Sequence, residues 1–230
     1  MKEFWRQTGV LFRQGLQAEL SDKERILSPL LFALTVLLLF SFAFADIDPT
    51  LVKKVFVAET YLTVFFALQI TFARVFEPDR DDKVFELMRS YPVSRPAWFL
   101  AKYLLVFLVG TLVLVPTMLA AAILNRTDLG ALVQPEIIQV AFLTLAGLSA
   151  LGVLVSALTL KAAGRQILYP ILYFPLTIPV LLAAVEASSQ FLETGVISEQ
   201  YNAWLGLLTG FDVIYFTLGI TVFGEIVDSG

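Results

Sequence analysis

The chain has 230 residues, 58% of them hydrophobic and only 16% charged, against roughly 45–50% and about a quarter in an ordinary soluble domain. Its net charge of −4 supplies no basic field to gather nucleic acid, and no such partner is expected. Cysteine and histidine are both absent, which removes disulfides, the usual zinc, copper and haem-iron ligands and the commonest general base, so no catalytic mechanism is expected of it.

Residues 1–25 place Phe4, Trp5, Thr8, Leu11, Phe12, Gly15, Leu16 and Leu20 at spacings of three and four, with Lys2, Arg6, Arg13, Gln14 and Gln17 largely opposite. That pattern predicts an amphipathic helix. Basic residues opposite a Trp/Phe/Leu face favour a helix lying in the headgroup layer over one packed on a soluble partner. Charges run throughout this segment, so it lacks the apolar core of a cleavable signal peptide.

Six apolar stretches follow, each long enough to cross a bilayer. They are predicted at 26–45, 55–73, 97–124, 137–160, 167–185 and 203–225. Pro116 is the expected kink of the long third span. The fourth is rich in small residues (Ala146, Gly147, Ser149, Ala150, Gly152, Ser156, Ala157), which let helix backbones approach closely in lipid. The fifth carries Pro170, Pro175 and Pro179, each of which removes a backbone donor. Between the last two spans, residues 186–201 lack Lys and Arg and read either as a plain external loop or as a segment dipping back into the outer leaflet. The fold class is therefore all-α integral membrane: one interfacial helix plus six transmembrane helices in a single domain over 1–230.

Orientation follows from the basic residues. Lys2, Arg6, Arg13, Lys23, Arg25, Arg74, Arg80, Lys83, Arg89, Arg95, Lys102, Lys161 and Arg165 fall on one side, thirteen of the 16 in the chain. Lys53, Lys54 and Arg126 fall on the other. Both termini are expected in the cytoplasm, and the split supports six crossings, because moving one span breaks the alternation.

The inner stretch 74–95 interleaves five acids with five bases around Val84, Phe85, Leu87 and Met88. Three readings stand. It is a solvated loop; or Asp79, Asp81 and Asp82 hold Mg²⁺ in a lipid head-group transferase; or a short helix between Pro78 and Pro92 enters a groove on a cytoplasmic protein, its charges setting register. Arg80 and Lys83 sit among the acids and weaken the metal reading, so docking is preferred. Asp212, inside the last span, is expected to line a pathway or to pair with a polar group such as Thr177. Glu59 and Glu186 lie near outer span ends and are expected to reach the interface.

Residues 147–189 resemble the haem exporter protein B family, also called cytochrome c maturation protein B. The resemblance rests on Gly147 and Gly152, the basic Lys161 and Arg165, then Pro175, Leu176, Ile178, Pro179 and Leu181. Arg74, Phe76, Asp79, Asp82, Glu86, Leu87, Pro92, Ala101-Lys102 and Phe211-Asp212 match in order, so it runs from about residue 5 to 228.

It implies an ABC-2-type exporter permease in a bacterial inner membrane, supporting haem delivery to the outer face for c-type cytochrome biogenesis. The implied partners are a separate ABC ATPase subunit, a haem-handling membrane protein, a small membrane subunit and a second copy of the chain. Asp79, Asp82, Val84, Phe85, Glu86, Leu87, Met88 and Pro92 become the ATPase-coupling segment; Pro175, Pro179 and Asp212 become pathway or conformational candidates. No cofactor is expected on the chain itself. It has no G-x-x-x-x-G-K-[ST] sequence, so ATP and Mg²⁺ belong to the ATPase, and haem is the implied cargo. An ABC-2 permease for a lipid, polysaccharide or drug shares every feature read from the residues alone.

Overall fold

The computed structural model describes residues 2–44, 46–48, 51–77, 79, 93–160, 162 and 164–228. In chain order the helices are α1 (Lys2–Ser21), α2 (Lys23–Ala43), α3 (Val52–Arg74), α4 (Arg95–Leu124), α5 (Leu129–Leu132), α6 (Pro135–Thr159), α7 (Arg165–Thr194) and α8 (Glu199–Asp228). All but α1 and α5 are long and apolar enough to cross a membrane. No strand occurs among the described residues.

The bundle is built around α6, the most buried of the six long helices. It packs on α8, α7, α4 and α3, and its small residues are the reason. The Phe72 ring of α3 fills the space a Cβ on Gly152 would need. Ser156 Oγ donates to the Phe72 carbonyl at 3.0 Å. Gly219 of α8 is covered in the same way by Phe99 of α4. In lipid, where apolar surface gives helices no reason to associate, such close backbone approach supplies the packing.

The ends of the bundle separate by charge. Arg25, Arg74, Arg95 and Lys102 gather at the end where α1 meets α2, while Lys53, Lys54 and Arg126 lie at the other. Cross-links confirm which helix ends meet. Gly224 faces Arg95 at the first end; Tyr201 Oη donates to the Glu136 carbonyl at 3.2 Å at the second.

Three expectations are corrected. The segment 1–25 is not one helix: α1 stops at Ser21, and Asp22 caps α2 by accepting from the Glu24 N–H at 3.1 Å. Much of the apolar face of α1 is covered by protein. Gly15 packs on Leu105 of α4, Gln7 Oε1 accepts from the Ser94 N–H at 2.8 Å, and Thr8 is buried. Trp5 and Leu20 remain outward.

The stretch 186–201 is neither a plain loop nor a re-entrant dip. Helix α7 continues to Thr194 and ends at Gly195, whose φ of 67° suits a residue without a Cβ. The polar residues that lower its hydropathy face protein: Ser188 Oγ is 3.0 Å from Tyr61 Oη, and Glu186 pairs with Lys54 at 2.8 Å.

Finally, Glu59 does not reach the surface. It is 2% exposed and accepts from the Asn125 amide at the end of α4. The prolines leave the helices unbroken, α4 passing through Pro116 and α7 through Pro170, Pro175 and Pro179.

Candidate functional site

Two regions hold the residues singled out from sequence. The first is where α6, α7 and α8 meet. Asp212 lies near the middle of α8, and its carboxyl occupies the volume a side chain on Gly147 would fill. Both carboxyl oxygens are buried, and neither has a hydrogen-bond partner among the described residues. Thr177 is not that partner: its hydroxyl donates back to the Tyr173 carbonyl at 3.1 Å and the Phe174 carbonyl at 2.9 Å.

The structure brings Asp212 together with the proline segment. Val180, next to Pro179, lies within van der Waals reach of where a Cβ on Gly147 would stand. One turn along α8, Tyr215 Oη donates to the Leu176 carbonyl at 2.6 Å, beside Pro175. Pro179 deprives the Pro175 carbonyl of its helical donor, so the ladder is already weakened here. Tyr173 Oη reaches across to the Leu148 carbonyl at 3.1 Å and ties α7 to α6. Tyr173 also stacks on Tyr169 and on Phe65, with centroids 5.3 and 5.7 Å apart. These tyrosines were missed in sequence; a hydroxyl that must find a partner deep in an apolar span was the available signal.

An apolar groove of about 390 Å³ lies between α4 and α6. Phe107, Thr111, Val115, Met118, Ile138 and Phe142 are among its walls.

The second region is the root of the 74–95 stretch. Of the coupling candidates only Asp79 is described; Asp82, Val84, Phe85, Glu86, Leu87, Met88 and Pro92 lie outside the described residues. The Asp79 carboxylate pairs with Lys102 of α4 and is nearly buried. It is thus engaged by a cation within the protein, which weakens the Mg²⁺ transferase reading at one of its three acids.

Lys102 also donates to the Val75 carbonyl at 3.0 Å and sits 5.4 Å from the centre of the Phe76 ring. Phe76 packs with Trp98 and Phe223, joining α4 and α8 to the chain leaving α3. Next to it, Arg25 reaches Asp22 at 3.3 Å, Glu19 at 3.6 Å and Glu77 at 3.8 Å. Burial raises the Glu19 carboxyl above its usual 4.5, an effect only partly offset by Arg25 and Lys102.

Six long apolar helices around a small-residue core, with a charged root at one end, define a multi-pass membrane protein. The CcmB protein family model matches residues 6–227, and the chain belongs to that family. Heme exporter protein B of Shigella flexneri is 31% identical over 209 residues, covering 89% of this chain and 90% of that protein. Heme exporter protein B of Haemophilus influenzae is 26% identical over 198 residues, 86% of each.

Proposed function

We propose that this chain is the membrane permease of an ABC transporter that supports haem export for c-type cytochrome biogenesis. The observation that carries the reading is the CcmB family match over nearly the whole chain. On this reading the protein sits in a bacterial inner membrane with both termini inside, α1 at the inner interface. A second copy completes the pore-forming unit, and a separate ATPase subunit holds ATP and Mg²⁺. A haem-handling membrane protein and a small membrane subunit complete the assembly.

The segment 79–92 is the ATPase contact. Val84, Phe85, Leu87 and Met88 supply the apolar contacts to the ATPase, and Asp82, Glu86 and Pro92 belong to the same contact. Closure of the ATPase subunits moves this segment and tilts the spans between inward- and outward-open states. Pro175 and Pro179 are where α7 yields, with Asp212 beside them as a polar point on the path. Haem has large apolar faces, and the groove between α4 and α6 offers apolar walls to receive them.

The test is co-purification of the full-length chain with its ATPase from membranes. Phe85→Asp or Leu87→Asp should abolish recovery of the ATPase while the permease still accumulates. Retention by both variants would show that the ATPase docks elsewhere.

A further inference from the structure

Two cations anchor the chain that leaves α3. Lys102 and Arg25 are both largely buried, their side chains 10% and 16% exposed. Between them they engage four carboxylates: Asp79 on Lys102, and Glu19, Asp22 and Glu77 on Arg25. Those acids sit on α1, at the cap of α2 and on the chain leaving α3; the cations sit on α2 and α4. Charges taken out of water are retained only where opposite charges and hydrogen bonds surround them, and removing one partner leaves the other stranded. A network of this kind has one favoured geometry.

Its position matters as much as its composition. Glu77 and Asp79 are the last described residues before 80–92, and each is held by a cation from a different helix. Lys102 lies two turns into α4, and its second bond, to the Val75 carbonyl, grips the backbone as well as the acid. Phe76, between these contacts, is packed on Trp98 and Phe223. A displacement of this chain therefore acts first on Lys102 of α4 and, through the longer 3.8 Å pair with Glu77, on Arg25 of α2.

We propose that Lys102 and Arg25 are positioning residues that convert movement of the ATPase-facing segment into movement of the spans. Lys102 carries it to α4 through Asp79, and Arg25 carries it to α1 and α2 through Glu77. The proposal rests on the reading of 79–92 as the ATPase contact. It goes beyond that reading by naming the residues through which the contact acts on the membrane domain.

A purely structural staple and a coupling device differ in what their loss changes. The test uses the full chain in complex with its ATPase in cells. It measures ATPase recovery, ATP hydrolysis, and the yield of covalent haem in c-type cytochromes per unit of hydrolysis. Lys102→Met keeps the length and apolar stem of the side chain and removes its charge. It should keep the ATPase bound and hydrolysing but lower the yield per ATP by roughly 2- to 30-fold, the range seen for mutations along coupling networks. The exchange Lys102→Asp with Asp79→Lys should recover much of the loss, because the pair is restored in reverse.

Wild-type yield per ATP in the Lys102→Met chain overturns the proposal. Failure of the wild-type chain to recover any ATPase overturns the docking reading and the proposal with it.

If Lys102→Met does not accumulate, the other arm decides. The chain has no cysteine, so Arg25→Cys with Glu77→Cys makes a unique pair. Cross-linking that pair should restore coupling lost in the reduced form. Equal wild-type coupling in both forms overturns the proposal.

Discussion

The Asp212 carboxyl of α8 fills the space that a side chain on Gly147 of α6 would occupy. The crossing of these two helices is therefore set by one residue with no side chain and one with a short acidic one. Gly147→Ala should destabilise the protein by about 1–3 kcal/mol, the usual penalty of overpacking a well-filled site. Thermal unfolding in detergent measures this. Asp212→Ala in the same chain should recover most of it by vacating the overlap. A Gly147→Ala chain as stable as the wild type contradicts the placement of Asp212.

Tyr215 should matter to a lesser degree. Tyr215→Phe keeps the ring and removes the donor to the Leu176 carbonyl, at a cost of about 1 kcal/mol. Hydrogen exchange of the α7 amides around Pro175 and Pro179 should rise more than that of α6. A uniform rise across the bundle would assign Tyr215 to general packing instead.

The end of the bundle opposite α1 offers a contrast between two polar pairs. Lys54 and Glu186 are 46% and 26% exposed, and Lys54→Ala should change stability by no more than about 1 kcal/mol. Glu59 is buried and takes a hydrogen bond from Asn125. Asn125→Leu strands that carboxyl and should cost about 1–3 kcal/mol. Unfolding of the two variants side by side tests the ranking, and equal losses would contradict it.

Glu19 predicts a dependence on pH. Its carboxyl is raised above 4.5 in the folded protein, chiefly by burial. Folding therefore favours the protonated form. The favourable contribution is complete below 4.5 and is lost as pH rises through the raised value. Glu19→Gln should flatten that part of the stability curve. A wild-type curve that climbs through this window relative to the variant would contradict the assignment.

Much of the fold was legible because bilayer-length apolar runs have few other uses, and the small residues of 137–160 correctly announced close packing. What they pack against was not legible. Nothing near Gly147 in the sequence points to Asp212, and nothing near Gly152 points to Phe72, since helix pairing is decided by long-range fit. The end of α7 was misjudged because Glu186, Ser188 and Glu193 lower its hydropathy; yet Glu186 and Ser188 face Lys54 and Tyr61.

Asp79 was read with its neighbours in sequence as part of a docking surface. Its carboxylate is bound to Lys102 on another helix, a partnership no local pattern encodes. Lys102 itself entered only through the orientation count and the family resemblance, and Arg25 only through the count.

The central claim is support of haem export for c-type cytochrome assembly. The most direct measurement is covalent haem in membrane c-type cytochromes, read by peroxidase staining of denaturing gels, after deletion of the gene for this chain. The account predicts that the stain disappears in the deletion strain and returns when the full chain is expressed. Undiminished covalent haem in the deletion strain would contradict it.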